Sequence, residues 1–170
     1  ARLISQLPAA MRQRPAIRQM QQLLDSANKT AEGTTITDFT QQGLDGTDVS
    51  LLAEVRKNKV TVIDFWASWC GPCRQEMPFM IQLYNNYQSK GLGIVGISLD
   101  NDHAAWQQAT TALGVVWPQM SDLQGWENAI AQHFNVTSIP HTIVVDQHGK
   151  ILRRGLRGEQ LEAFIQTVLQ

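Results

Sequence analysis

The residues best equipped for chemistry are Cys70 and Cys73, the only two cysteines of the chain, with Gly71 and Pro72 between them. A bridge closing so short a loop removes little unfolded-state entropy, so the pair is a poor structural staple and points instead to reactivity. One chemistry open to it is disulfide exchange, in which a thiolate attacks a disulfide and a second cysteine one turn away resolves the mixed disulfide. The other is metal binding. A closed zinc site asks for four Cys or His ligands, however, and there is no second Cys-x-x-Cys, while His103, His133, His141 and His148 are scattered singly. Redox exchange is the better reading.

Two acids stand close to the pair. Asp64 interrupts an otherwise apolar run, where an unpaired carboxylate is costly unless it takes up a proton, so its placement suggests a function. A strand-kink acid paired with a lysine is the plainer alternative. Glu76 follows Cys73 by three residues and therefore shares its helical face. A solvated first-turn acid favoured by the helix dipole is the alternative there.

The elements around these residues must present a sulfur at a helix start. Val60 to Ala67 is an apolar, β-branched run expected as a central strand buried on both faces. It leads into the cysteine loop, and Pro72 suits the first turn of a helix running to about Ser89, with Pro78 as an internal kink. Cys70 would then end the strand and open the helix, where unsatisfied N–H groups and the dipole favour a thiolate. Cys73 would lie deeper.

Upstream, Thr34 to Phe39 and the Gly43 to Gly46 turn read as a β-hairpin, with Ser50 leading into a short helix. Downstream come a buried strand over Gly93 to Leu99, a helix over Asp102 to Leu113 and a short strand near Trp117 to Met120. A helix over Trp126 to Phe134, strands His141 to Asp146 and Ile151 to Gly155 around Gly149, and a closing helix Glu159 to Leu169 complete the order. This pattern predicts an α/β domain with a mixed central sheet flanked by helices, spanning residues 31–170.

Residues 1–30 read as a separate helical appendage or linker. Ile17, Met20, Leu23 and Leu24 recur at helical spacing, and Arg2, Arg12, Arg14, Arg18 and Lys29 oppose only Asp25. The whole chain of 170 residues is 43% hydrophobic, enough for a core, and its net charge of -1 gives no field that would draw it to nucleic acid. No apolar run reaches the roughly 20 residues a membrane helix needs. The chain starts at Ala1 without Met, which leaves open a trimmed export signal or lipid anchor.

The segment Val62-Ile63-Asp64-Phe65-Trp66-Ala67-Ser68-Trp69-Cys70-Gly71-Pro72-Cys73 closely resembles the active-site strand and loop of thioredoxin. Glu76 and Pro78, the run Gly96-Ile97-Ser98-Leu99-Asp100, Ile139-Pro140 and Asp146-Gln147-His148-Gly149-Lys150 narrow the likeness to the TlpA/ResA-like branch. Trp106, Trp117, Ser121-Asp122 and Gly125-Trp126 are similar to versions common in Bacteroidetes. The resemblance covers Gly33 to Gln170 and implies a thioredoxin fold with an N-terminal hairpin and an inserted helix and strand.

By that resemblance the protein is a monomeric reductase of protein disulfides that needs no cofactor. It would work in the periplasm or the outer envelope and be recharged by a membrane thiol-disulfide carrier. Cys70 matches the nucleophile, Cys73 the resolving thiol, and Asp64 the buried proton acceptor for Cys73. Glu76 matches a second acid that tunes the cysteines. Pro140 matches a cis-proline that shapes a substrate groove with Trp69, Gly71, Pro72, Ile139 and His141.

Two positions depart from the pattern. His141 stands where thioredoxin follows its cis-proline with Thr, and is expected either to touch a substrate backbone or add a titrating group near pH 6.5, or to be a plain strand residue. Gly96 falls nearest the lysine that partners the thioredoxin aspartate. Trp66 and Trp69 are expected to wall the site, Trp69 the more exposed, while Trp106, Trp117 and Trp126 are expected in core or interface packing, with an exposed partner platform as the alternative. Two rivals remain open: a peroxiredoxin-like peroxidase, whose Pro-x-x-x-Thr-x-x-Cys context is missing before Cys70, and a copper metallochaperone like Sco relatives, which space their cysteines by three residues.

Overall fold

A computed structural model describes residues 6–170. Arg2, counted above among the basic residues of the appendage, lies outside them.

Strand β3 (Val60–Trp66) is the centre of the molecule, and all seven of its residues are buried. Its β-branched Val60, Thr61, Val62 and Ile63 suit a pleated surface packed on both sides. β4 (Leu92–Ser98) pairs with it in parallel and β6 (His141–Asp146) antiparallel. β5 (Gln119–Met120) adds in parallel to β4, and β7 (Ile151–Arg154) antiparallel to β6, giving a mixed five-stranded sheet in the order β5-β4-β3-β6-β7.

A two-stranded hairpin, β1 (Thr40–Gln42) and β2 (Asp48–Ser50), stands beside the sheet. Its first strand begins after the segment expected to form it. Residues 34–36 instead run along the β6–β7 turn: Ile36 N–H donates to the Gly149 carbonyl and Ile151 N–H to the Thr34 carbonyl. The alternation of Thr34 to Phe39 marks an extended chain, but pairing is a tertiary choice that alternation alone does not make. Gly149, at φ +80°, supplies the left-handed residue the turn needs.

The helices are α1 (Ala9–Arg12), α2 (Pro15–Lys29), α3 (Leu51–Arg56), α4 (Gly71–Tyr87), α5 (His103–Leu113), α6 (Ala129–His133) and α7 (Gly158–Val168). Polar caps set several starts: Ser50 Oγ accepts from Ala53 N–H, Asp102 Oδ1 from Ala105 N–H, and Asn128 Oδ1 from Ile130 and Ala131 N–H. Asn128 also explains a correction. The single helix expected over Trp126 to Phe134 is split into a 3-10 turn, Gly125–Glu127, and α6, because Asn128 leaves the helical conformation to cap the second piece.

The amphipathic spacing before Lys29 does form a helix, α2, with Pro15 in its first turn. Met20 remains about half exposed on it, while Ile17 and Leu24 are partly covered. The chain between α2 and the domain is fastened by Arg154 of β7, whose guanidinium donates to the Thr30 carbonyl and to Thr30 Oγ1. No described helix is long and apolar enough to cross a membrane.

Candidate active site

β3 delivers the chain to the site and α4 receives it. Between them, Cys70 is the N-cap of α4, with extended backbone, and its Sγ accepts from Cys73 N–H at 3.2 Å. The cysteines are joined in a disulfide, Cα to Cα 5.3 Å. Cys70 Sγ also lies 3.9 Å from the Ile139 carbonyl, a contact without a proton while the sulfur is in the bridge. The Ile139–Pro140 peptide is cis. Both sulfur-bearing residues are buried, at 5% and 2% exposure, so depth barely separates them in the disulfide form. Gly71, Pro72 and Trp69 are exposed around them, and Ile139, Pro140 and His141 are partly so.

Helix geometry gives this end of α4 its electrostatics. The first-turn N–H groups have no partners inside the helix, and their partial positive charge faces the Cys70 sulfur. On reduction, the same N–H groups favour the thiolate over the thiol.

Asp64 sits inside the sheet two residues before β3 ends, 3% exposed. In register its neighbours are Gly96 on β4 and Thr142 on β6. Burial pushes its carboxyl up to about 7; the negative charge of Glu76 pushes the same way, and the Arg157 guanidinium opposes both. The group can therefore exchange a proton near neutral pH.

The register also accounts for the absence of a lysine beside it. A Cβ on Gly96 would come within 2.2 Å of the Gln119 side-chain amide, which fills the space over this glycine. Gln119 Oε1 accepts from the Trp66 indole N–H at 2.9 Å, so the amide is itself held in place.

Glu76 comes to the site from α4 already paired. Its Oε2 accepts from Arg157 Nε at 2.7 Å, and the second guanidinium nitrogen lies at the same distance. Arg157 caps the start of α7, so this ion pair ties α7 to the catalytic helix and places one positive and one negative charge near Asp64. The spacing that put Glu76 on the Cys73 face gave no sign of Arg157, which is 81 residues away in sequence.

His141 pairs across the strands with Phe65, and their ring centroids are 6.2 Å apart. Strand alternation turns it to the face opposite Asp64. Burial, with some help from Arg154, pulls its imidazole down to about 4, so it is neutral at physiological pH.

Among the tryptophans, Trp66, Trp106 and Trp117 are buried and Trp69 is 53% exposed. Trp126 departs from the packing expected of it. It is 41% exposed and lies against Trp69, ring centroids 6.2 Å apart. The exposed ring pair is made by one tryptophan from the cysteine loop and one from the 3-10 turn, while Trp106 and Trp117 are packed inside.

Asp100, the last residue of the Gly96-Ile97-Ser98-Leu99-Asp100 run, joins the site through the cysteine loop. It is 1% exposed, and its carboxylate accepts from Ser68 N–H, Ser68 Oγ and Ser98 Oγ. An acid just past the end of a buried strand was the available signal, akin to the charge within an apolar run that marked Asp64.

Comparison with known proteins agrees with this geometry. The family model described as Redoxin matches residues 31–168. The thiol-disulfide oxidoreductase ResA of Bacillus thuringiensis subsp. konkukian is 28% identical over 138 residues, covering 81% of this chain and 76% of its own length. Among solved structures, the thioredoxin domain of a thiol-disulfide oxidoreductase from Bacteroides vulgatus superposes with a TM-score of 0.75 at 30% identity, covering 82% of this chain and 99% of that domain. A thiol-disulfide oxidoreductase from Bacteroides fragilis superposes with a TM-score of 0.74 at 29% identity, covering 79% and 99%.

Proposed function

Because the chain belongs to the Redoxin family, and within it to the ResA-like thiol-disulfide oxidoreductases of thioredoxin fold, we propose that it reduces protein disulfides through Cys70 and Cys73. The observation that carries the reading is a redox pair capping a helix, with a buried acid of pKa about 7 on the strand that feeds it.

The proposed cycle starts from the dithiol. The Cys70 thiolate attacks one sulfur of a substrate disulfide; the substrate S–S bond breaks, its other sulfur leaves as a thiolate and takes a proton, and a mixed disulfide to Cys70 forms. Cys73 then gives its proton to ionised Asp64 and attacks Cys70 Sγ. The second substrate thiolate leaves, and the Cys70–Cys73 disulfide remains, two electrons having passed to the substrate. An external dithiol restores the protein, and a membrane thiol-disulfide carrier is the donor we assign.

Asp64 is the better proton acceptor of the two acids, since Glu76 is engaged by Arg157. Glu76 and Arg157 then set the field in which Asp64 titrates. Substrate would approach over Trp69, Gly71 and Pro72 on one side and Ile139, Pro140 and His141 on the other, the exposed and half-exposed residues around the sulfurs. The ResA likeness supports an extracytoplasmic location, periplasmic or at the envelope. It also supports the reading of residues 1–30 as a linker or appendage to a domain over 31–170, the match beginning at residue 31.

Reduction of insulin disulfides by dithiothreitol tests the scheme. Cys70→Ser is expected to abolish catalysis, and Cys73→Ser to accumulate a mixed disulfide with substrate, visible by mass spectrometry. Undiminished turnover in either variant refutes it.

A further inference from the structure

Ser68 and Trp69 lie between the end of β3 and the reactive sulfur, outside both regular elements. A loop in that place is held only by what its own groups bond to. Ser68 is held on every polar group it has. Its N–H donates to Asp100 Oδ2 at 3.0 Å, its hydroxyl donates to Asp100 Oδ1, and its carbonyl accepts from the Arg74 guanidinium at 3.2 Å. Asp100 is itself fixed, because Ser98 Oγ donates to Oδ2 at 2.7 Å and accepts from Asp100 N–H at 3.0 Å.

The same residue reaches the other tryptophan. The Asp100 carbonyl accepts from Gly125 N–H at 3.4 Å, and Trp126 follows directly. Gln132 Nε2 donates to the Trp126 carbonyl at 2.7 Å and braces the far side of that turn. One buried aspartate thus stands between the two segments that carry the exposed, contacting rings of Trp69 and Trp126.

Cys70 is held by other means. Its N–H donates to the Ala67 carbonyl, and its sulfur faces the first turn of α4. Asp100 therefore acts on the aromatic rim of the site more than on the sulfur. A buried carboxylate with three donors aimed at it is far more strongly committed than a surface pair, since each lost partner leaves a buried polar group unsatisfied.

We propose that Asp100 is a positioning residue for disulfide exchange: through Ser68 its carboxylate sets Trp69 against Trp126, making one aromatic ledge against which the polypeptide carrying the substrate disulfide is seated. This rests on the reductase reading of Cys70 and Cys73. It adds the residue that shapes the substrate side of that site.

The test compares wild type, Asp100→Asn and Asp100→Ala, with insulin as substrate and dithiothreitol as donor, alongside acrylamide quenching of tryptophan fluorescence. Quenching reads the ledge, because the other three tryptophans are buried. Asn keeps an acceptor for Ser68 N–H, and the Ser68 hydroxyl can turn to accept from its amide. Asp100→Ala is expected to raise KM for insulin about tenfold with kcat changed less than about threefold, and to increase quenching about twofold. Asp100→Asn is expected to recover most of both.

A loss confined to kcat, unchanged quenching in Asp100→Ala, or an Asn variant as impaired as the Ala variant overturns the proposal. Should Asp100→Ala fail to fold, Ser68→Ala carries the same expectation at about threefold in KM, and an unchanged KM overturns it. If wild type leaves insulin intact, the reductase reading fails, whereas quenching still decides whether Asp100 positions the ledge.

Discussion

Replacing Asp64 with Asn should make the protein more stable at alkaline pH and leave it unchanged in acid. The carboxyl is raised from its ordinary 3.8 to about 7, chiefly by burial. Below about pH 4, Asp64 is protonated in both the folded and the unfolded chain, and it contributes no pH dependence. As pH rises from there, the unfolded carboxyl ionises while the folded one holds its proton. The folded state then binds more protons, and stability falls by about 1.4 kcal/mol per pH unit. The fall ends near pH 7, where folded Asp64 ionises too, after a total loss on the order of 4 kcal/mol.

Asn matches the shape of the neutral acid and has no such loss. The advantage of Asp64→Asn over wild type should grow from about zero at pH 4 to a few kcal/mol at pH 8. Urea unfolding of the disulfide form, followed by tryptophan fluorescence at pH 4, 6 and 8, measures it. His141 acts in the opposite sense across the same window. Its folded pKa is lowered to about 4, so the unfolded imidazole gains a proton first as pH drops below about 6.5, and stability falls toward acid. The ring is partly exposed, so solvent screening makes its contribution the smaller one. Wild type should therefore show a flattened profile, and the Asn variant should keep the fall toward acid that His141 and the likewise lowered His133 give. A stability difference that stays constant with pH, or a variant weaker than wild type at pH 8, refutes the assignment of a raised pKa to Asp64.

Arg157→Met removes the cation that holds Asp64 down and the partner of Glu76; the Asp64 pKa should rise further, read from its carboxyl signal in infrared or NMR titration, and a fall would contradict the field described above. Gly96→Ala must displace the Gln119 amide from its bond to the Trp66 indole, costing about 1–3 kcal/mol in chemical denaturation, and a neutral effect would mean that the space over Gly96 is free.

What was legible in the sequence was whatever local order determines. Cys70 and Cys73 face each other because they stand one helical turn apart. The strand before them is buried because Val60 to Ala67 is apolar and β-branched, and Ser50, Asp102 and Gly149 cap or turn the chain where their side chains and φ angles allow. Asp64 was conspicuous for being a charge where charges are costly. The resemblance to thioredoxin relatives added what no spacing carries: the proline beside the sulfurs and the role proposed for the strand acid.

Tertiary structure decided the pairings across distance. That Thr34 to Ile36 would run along the β6–β7 turn and leave the hairpin to Thr40–Gln42 followed from which edge was open, since alternation specifies a face and not a partner. That Glu76 would meet Arg157 followed from the packing of α4 against α7. Gly96 shows the same division: its place opposite the aspartate was anticipated, yet only the register with β5 revealed that Gln119 fills the space where a lysine would stand. Trp126, expected to open a helix, lies instead in the 3-10 turn ahead of the Asn128 cap, against Trp69. The cysteine pair, the central strand and the acid were thus written in neighbouring residues, and the field around that acid was set by side chains from elements brought together only in the folded chain.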